Sequence, residues 1–309
     1  MNKRLYCVLA LVLLSACTSP ANVPEPSPII LTVAESKTNN SLLNCIYFDR
    51  ELFAQGLSSP CKYELDSAKT LTAGMVPHHL LAADMIAGFF SLAAQQKDSY
   101  DTVLLISPSH FPEKCSSDAV TATADWNTPY GILKTDIELV EALLSNETIG
   151  AENSSDAVEY DHGAAGLIPF VRYYLPKAKV AVCLLSNKLS QQRLDEIQRV
   201  INEQRKDKNI LLIASADCSH YLMPHDAEKH DKATAQAIQS FDFAQIMQFS
   251  DSNLDSPQAV TTFLSAAQAS GAVLKQLDHS SSAQKLPHAI SNPIYDEGIT
   301  TYYVYAAVK

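Results

Sequence analysis

Basic residues are scarce in this chain of 309 residues: 23 lysines and arginines face 34 aspartates and glutamates. That shortage argues against nucleic acid as a partner, because phosphate binding needs a basic footprint. It argues equally against a polybasic hold on anionic lipid. The seven cysteines include no Cys-x-x-Cys pair and no ribbon spacing, so structural zinc is not expected. There is no Gly-x-Ser-x-Gly elbow to support a serine hydrolase. No internal repeat is visible, and no second domain is demanded.

The N-terminus follows the grammar of a secretory signal. A short basic "MNKR" precedes the apolar "LYCVLALVLL", which is too short for a resident spanning helix, and "LSAC" ends at Cys17. Leu14-Ser15-Ala16-Cys17 resembles the bacterial lipobox, which implies a signal at 1–16 and acylation of Cys17. The Pro/Ser/Thr/Asn-rich stretch 17–41 then reads as a flexible tether. Thr18, where an Asp would hold such a protein back, leans to the periplasmic face of the outer membrane. The lipid bilayer is thus the expected first partner, through the acyl chains on Cys17. Removing 1–16 takes Lys3 and Arg4 and no acid, so 21 bases face 34 acids and the mature charge is −13. Residues 42–309 are enough for one large α/β domain. An oxidising periplasm would permit a Cys45–Cys61 disulfide, which the sequence leaves open.

From residue 70 short β-branched runs alternate with helical ones. "LTAGMV" leads into "HLLAADMIAGFFSLAAQQ", where Leu80, Leu81, Met85, Phe89 and Leu92 recur at helix spacing. "DTVLLIS", "AKVAVCLLS" and "NILLIASAD" are apolar runs of the kind buried on both faces of a parallel sheet. "PHDAEKHDKATAQAIQSFDFAQIMQFS" and "SPQAVTTFLSAAQASGAVLKQL" each read as a helix, and "GITTYYVYAAVK" as a closing strand. The predicted architecture is α/β: a single domain with a mainly parallel sheet and helices on both faces.

Histidines then fall at the ends of these elements. His78 follows the first strand, and His110 of "SPSHF" the second. "ASADCSHYL" places Asp217 and His220 after a later strand, and Asp161 and His162 precede a short helix. Strand exits of a parallel sheet share one edge, so these segments can converge. Converging His and Asp make a divalent-metal or acid–base site. Each also has a structural alternative, such as Asp217 capping a helix. His225, His230, His279 and His288 read as surface or local structural residues.

In order, "VPHHLLAADMIAG", "LLISPSHF", "WNTPYGILKTD", "EYDHGAAGLIPFVRYYLP" and "LLIASADCSHYL" resemble the blocks of the Memo family, from about residue 70 to the C-terminus. Bacterial and archaeal members are called AmmeMemoRadiSam system protein B. The resemblance implies the fold of class III extradiol dioxygenases, which hold non-haem Fe(II) on two His and a carboxylate. It implies a metal-binding pocket, with iron expected and copper the alternative. It names His78, not His79, as the ligand of the first block, with His110 and His162 as pocket histidines. His79 takes the place of a small residue. Two departures stand out: Leu167 replaces a pocket histidine, and Asp255 occupies the place of a cysteine ligand. His78, His110 and Asp255 would then be two imidazoles and a carboxylate, with Asp217 orienting His220 as acid–base and His162 as a further donor. The alternative for Asp255 is an N-cap of the helix that begins "SPQAV".

Three functions compete at this point. The first is a membrane-tethered metal protein doing redox or dioxygenase-like chemistry on a small molecule. The second is a non-catalytic module for a metal, peptide or protein partner, which the loss at Leu167 favours. The third is a metal-dependent hydrolase. The family name records association with AMMECR-like and radical SAM proteins, which are expected in the cytoplasm, so for an exported chain that association stays open.

Overall fold

The run from Val103 to Ile106 has no polar side chain, and both of its faces are covered. In this computed structural model, which describes residues 42–66, 68–96, 99–286 and 298–309, the strand Thr102–Pro108 is buried at every position. Val103 and Leu105 enter one apolar cluster with Phe89, Phe90 and Phe170, while Leu104 and Ile106 enter another with Leu194, Ile197 and Phe263. Period-two alternation thus feeds two cores, one on each face of the sheet. The helices Ala83–Ala94 and Ile168–Tyr174 cover the first face, and Gln191–Gln204 and Pro257–Ala269 the second. Each fully buried Leu, Ile or Phe contributes roughly 1.5–3 kcal/mol relative to exposure. The expected signal 1–16 and the whole tether 17–41, Cys17 included, lie outside the described residues, as does His288.

The centre of the sheet is four parallel strands in the order Leu71–Val76, Ile210–Ser215, Thr102–Pro108, Lys179–Leu185. The closing strand Ile299–Val308 pairs antiparallel with Leu71–Val76, and Ala119–Thr121 pairs antiparallel with Lys179–Leu185. The fold is therefore a single mixed α/β domain whose parallel part is its core.

Two predicted helices end earlier than their apolar patterns. "GAVLKQL" is not helical: the helix Pro257–Ala269 stops before Gly271, at φ +66°, and Val273–Ser281 runs as a strand along Ile299–Val308. Glycine allows the left-handed turn that a side chain resists. The helix Pro224–Gln239 likewise ends before Phe241, at φ 55°, and a separate short helix follows at Phe243–Ile246. Cys45 and Cys61 are free thiols packed against the first core, where burial pushes both up to about 12.

Candidate metal centre

Three neighbouring parallel strands deliver the site. Val76 lies opposite Ser215, and Ala214 opposite Ile106, so the carboxyl ends of Leu71–Val76, Ile210–Ser215 and Thr102–Pro108 reach one edge together. His78, Asp217 and His110 each sit two residues past those ends. They line a cleft of about 310 Å³ with His79, His162, His220 and Asp255. That is the crevice in which open α/β sheets bind ligands.

The hydrogen bonds determine which nitrogen each imidazole offers. Ser215 Oγ donates to the Gly163 carbonyl, so its lone pair accepts Nδ1–H of His78 at 3.0 Å. His78 therefore presents a bare Nε2, and that atom lies 3.3 Å from Asp255 Oδ2. His110 is held in the same way. Asp161 accepts its backbone N–H at 2.8 Å and its Nδ1–H at 2.9 Å, and the Gly163 amide at 3.0 Å. The bare Nε2 of His110 lies 4.0 Å from the same Asp255 oxygen. Ligands on one ion with bonds near 2.1 Å stand roughly 3.0–3.4 Å apart; the His78–Asp255 pair has that spacing and the His110–Asp255 pair is wider. A Cβ at position 163 would sit 2.8 Å from His110 Cε1, and glycine is what permits this approach.

Asp255 supplies the charge. It is 8% exposed; Oδ2 accepts the Asp217 amide at 3.2 Å, while the buried Oδ1 has no partner among the described residues. Burial, and then the Asp217 carboxylate, push the Asp255 carboxyl well above its ordinary value. Burial pushes the His78 imidazole well below its own, with the other histidines adding to it. Two bare imidazole lone pairs facing Asp255 Oδ2, beside a buried Oδ1 with no partner among the described residues, fit a cation that these lone pairs could share. The capping alternative for Asp255 is not what the structure shows. Ser256 is the cap of Pro257–Ala269, its side chain accepting from Ala259 N at 3.2 Å.

The remaining predicted residues differ in their surroundings. His162 stacks on His110 with centroids 3.8 Å apart, and burial followed by the His110 charge lowers it to about 4. One ligand atom from each of His78, His110 and His162 falls within 4.8 Å of the others, and His78, Asp217 and Asp255 form a second such group. His220 also lines the cleft; burial lowers its pKa, against the Asp217 and Asp251 charges, and its buried Nδ1 has no partner among the described residues. Asp217 does not orient it. Asp217 Oδ1 accepts the His78 amide at 3.0 Å, with a further backbone bond from His79, so this carboxylate holds the turn that carries His78.

Leu167 is fully buried in the first core and does not line the cleft, so the argument from a lost pocket group falls. His79 does line it, with Nδ1 2.7 Å from the Tyr302 hydroxyl. The sequence gives no role to Ser215, and offers Asp161 only as one of the converging His and Asp residues. A serine at a strand end carries no signal, whereas Asp161 directly before His162 was a detectable cap and carboxylate.

Known proteins agree with this frame. A Saccharolobus solfataricus "MEMO1 family protein" is 27% identical over 55% of this chain and 60% of its own length. The chain thus spans three-fifths of that relative. One from Thermococcus onnurineus is 25% identical over 70% of this chain and 81% of its own. Among solved structures, an uncharacterized Escherichia coli K12 protein superposes with a TM-score of 0.50 at 12% identity, covering 76% of this chain and 99% of that one. That likeness concerns the fold alone. The family described as Memo-like protein matches residues 50–292, and the chain belongs to it.

Proposed function

We propose that this Memo-like chain is a membrane-tethered protein holding one non-haem iron ion on His78, His110 and Asp255, and that it carries out a redox reaction on a small molecule. The observation that carries the proposal is the pair of bare Nε2 atoms facing Oδ2 of the Asp255 carboxylate, whose buried Oδ1 has no partner among the described residues. Iron held by His78, His110 and Asp255 would supply electron exchange with a bound small molecule. The hard carboxylate favours iron over Cu(I), leaving copper as the second candidate. Asp161 and Ser215 keep both imidazoles in the ligating tautomer. His220, with an unpartnered Nδ1 at the wall, exchanges a proton with the substrate, and His162 donates a hydrogen bond beside His110.

Metal analysis of anaerobically purified protein tests the proposal: near-stoichiometric iron supports it. Zinc with activity on a hydrolysable substrate would replace it by the hydrolase reading. Absence of uptake of Fe(II), copper or zinc would leave a partner-binding cleft. His220→Ala is expected to retain the metal while lowering turnover about 10²- to 10⁴-fold. Unchanged turnover would remove its acid–base role.

The lipobox residues Leu14-Ser15-Ala16-Cys17 support a location on the periplasmic face of the outer membrane. Metabolic labelling with palmitate is expected to mark the wild type and to be lost in Cys17→Ser. Label retained in that variant would refute the anchor.

A further inference from the structure

The mouth of the cleft has a charge that the metal does not cancel. Three carboxylates line it, Asp217, Asp251 and Asp255, and among the described lining residues there is no lysine or arginine. A divalent ion offsets two of the three negative charges. Its imidazoles are neutral as ligands, and burial lowers the pKa of His162 and of His220. An anionic substrate would therefore meet carboxylates at the mouth, with no lysine or arginine among the described lining residues to receive it.

Asp251 differs from the other two carboxylates. Asp255 is committed to the ligand set, and Asp217 to the His78 turn. The Asp251 side chain is exposed at the rim, and no hydrogen bond or ion pair engages it among the described residues. Its position is nonetheless built. The Asp251 carbonyl accepts the His220 amide at 2.7 Å, and the Asn253 carbonyl accepts the Ser219 amide at 3.0 Å. The loop is thereby clamped to the strand Cys218–Leu222 that carries His220. A carboxylate held beside the proton-exchanging histidine, and left without a partner, is placed to receive a cation from the substrate.

We infer that the substrate is a cationic, amine-bearing small molecule, and that Asp251 at the cleft rim selects it by pairing with its ammonium group. The inference rests on the metal reading of the same cleft. Exclusion of carboxylates and phosphates follows from the same charge balance and is strengthened by the acidity of the whole chain.

The test uses two metal-binding probes that differ only in charge, para-aminomethyl-benzohydroxamate and para-carboxy-benzohydroxamate. Both are titrated calorimetrically into the iron(II)-loaded protein without oxygen. The amine is expected to bind about tenfold more tightly, as one partly exposed pair gained against one like-charge contact implies. In Asp251→Asn the gap should close with metal content unchanged. Equal affinities in the wild type, or tighter binding of the carboxylate, would overturn the inference and leave the metal centre standing. Failure to load metal, with neither probe binding, would overturn the metal reading and this inference with it.

Discussion

Asp255→Ala should empty the site, reducing bound iron from near one equivalent to below about a tenth under the same anaerobic purification. The two imidazoles would remain, but the set would have lost its only anionic ligand. The Asp255 carboxylate is the group both bare nitrogens face, at 3.3 Å from His78 and 4.0 Å from His110. The variant separates ligation from scaffolding. Asp255 holds only the Asp217 amide and leaves Oδ1 without a partner, so deletion removes one hydrogen bond together with a buried, desolvated carboxyl. Thermal unfolding of the metal-free variant should stay close to that of the metal-free wild type. Asp255→Cys makes the companion test: a thiolate is soft, and the preference should move toward zinc or Cu(I). Iron retained at full stoichiometry in Asp255→Ala would show that His162 or Asp217 completes the set.

Asp161→Asn should lower metal affinity by about 10- to 100-fold without touching a ligand, measured by competition with a chelator. Asp161 accepts from three N–H groups, two of them on His110. An asparagine of the same shape has one accepting oxygen. Either orientation of its amide sets the NH2 against a donor, the His110 amide in one and the Nδ1–H and Gly163 amide in the other, so at least one of the bonds that fix the His110 ring and its tautomer is lost. An affinity within twofold of the wild type would show that the tautomer is not held by Asp161.

Much of the scaffold was legible because burial on both faces leaves a direct mark. Val103 to Ile106 and Ile210 to Ala214 are apolar throughout, and such runs read as central strands without help from neighbours. Where local pattern misled, a single backbone conformation decided the matter. "AVLKQL" continues a helical pattern, yet it follows Gly271 in the left-handed region and pairs with the last strand. That pairing is a long-range fact with no local signature.

The site divides in the same way. His78, His110 and Asp217 could be placed because they stand just past strand ends, and parallel strands align those ends by construction. Asp255 was ambiguous, since Asp-Ser-Pro serves either as a cap or as a ligand turn. The structure gives the cap to Ser256 and leaves the carboxylate to the cleft. Asp161 stood out as a carboxylate directly before His162, but its link to His110, like that of Ser215 to His78, had no local sign. Ser215 acts through Gly163, and Asp161 through His110, and each pair is joined only once the sheet is folded.

X-ray absorption at the iron edge of the Fe(II)-loaded wild type tests the central claim most directly. Two imidazole nitrogens and a carboxylate oxygen predict a first shell of light atoms only, with the outer scattering of two histidine rings and no sulfur. A sulfur scatterer, a single histidine ring, or iron bound without either would contradict a centre built from His78, His110 and Asp255.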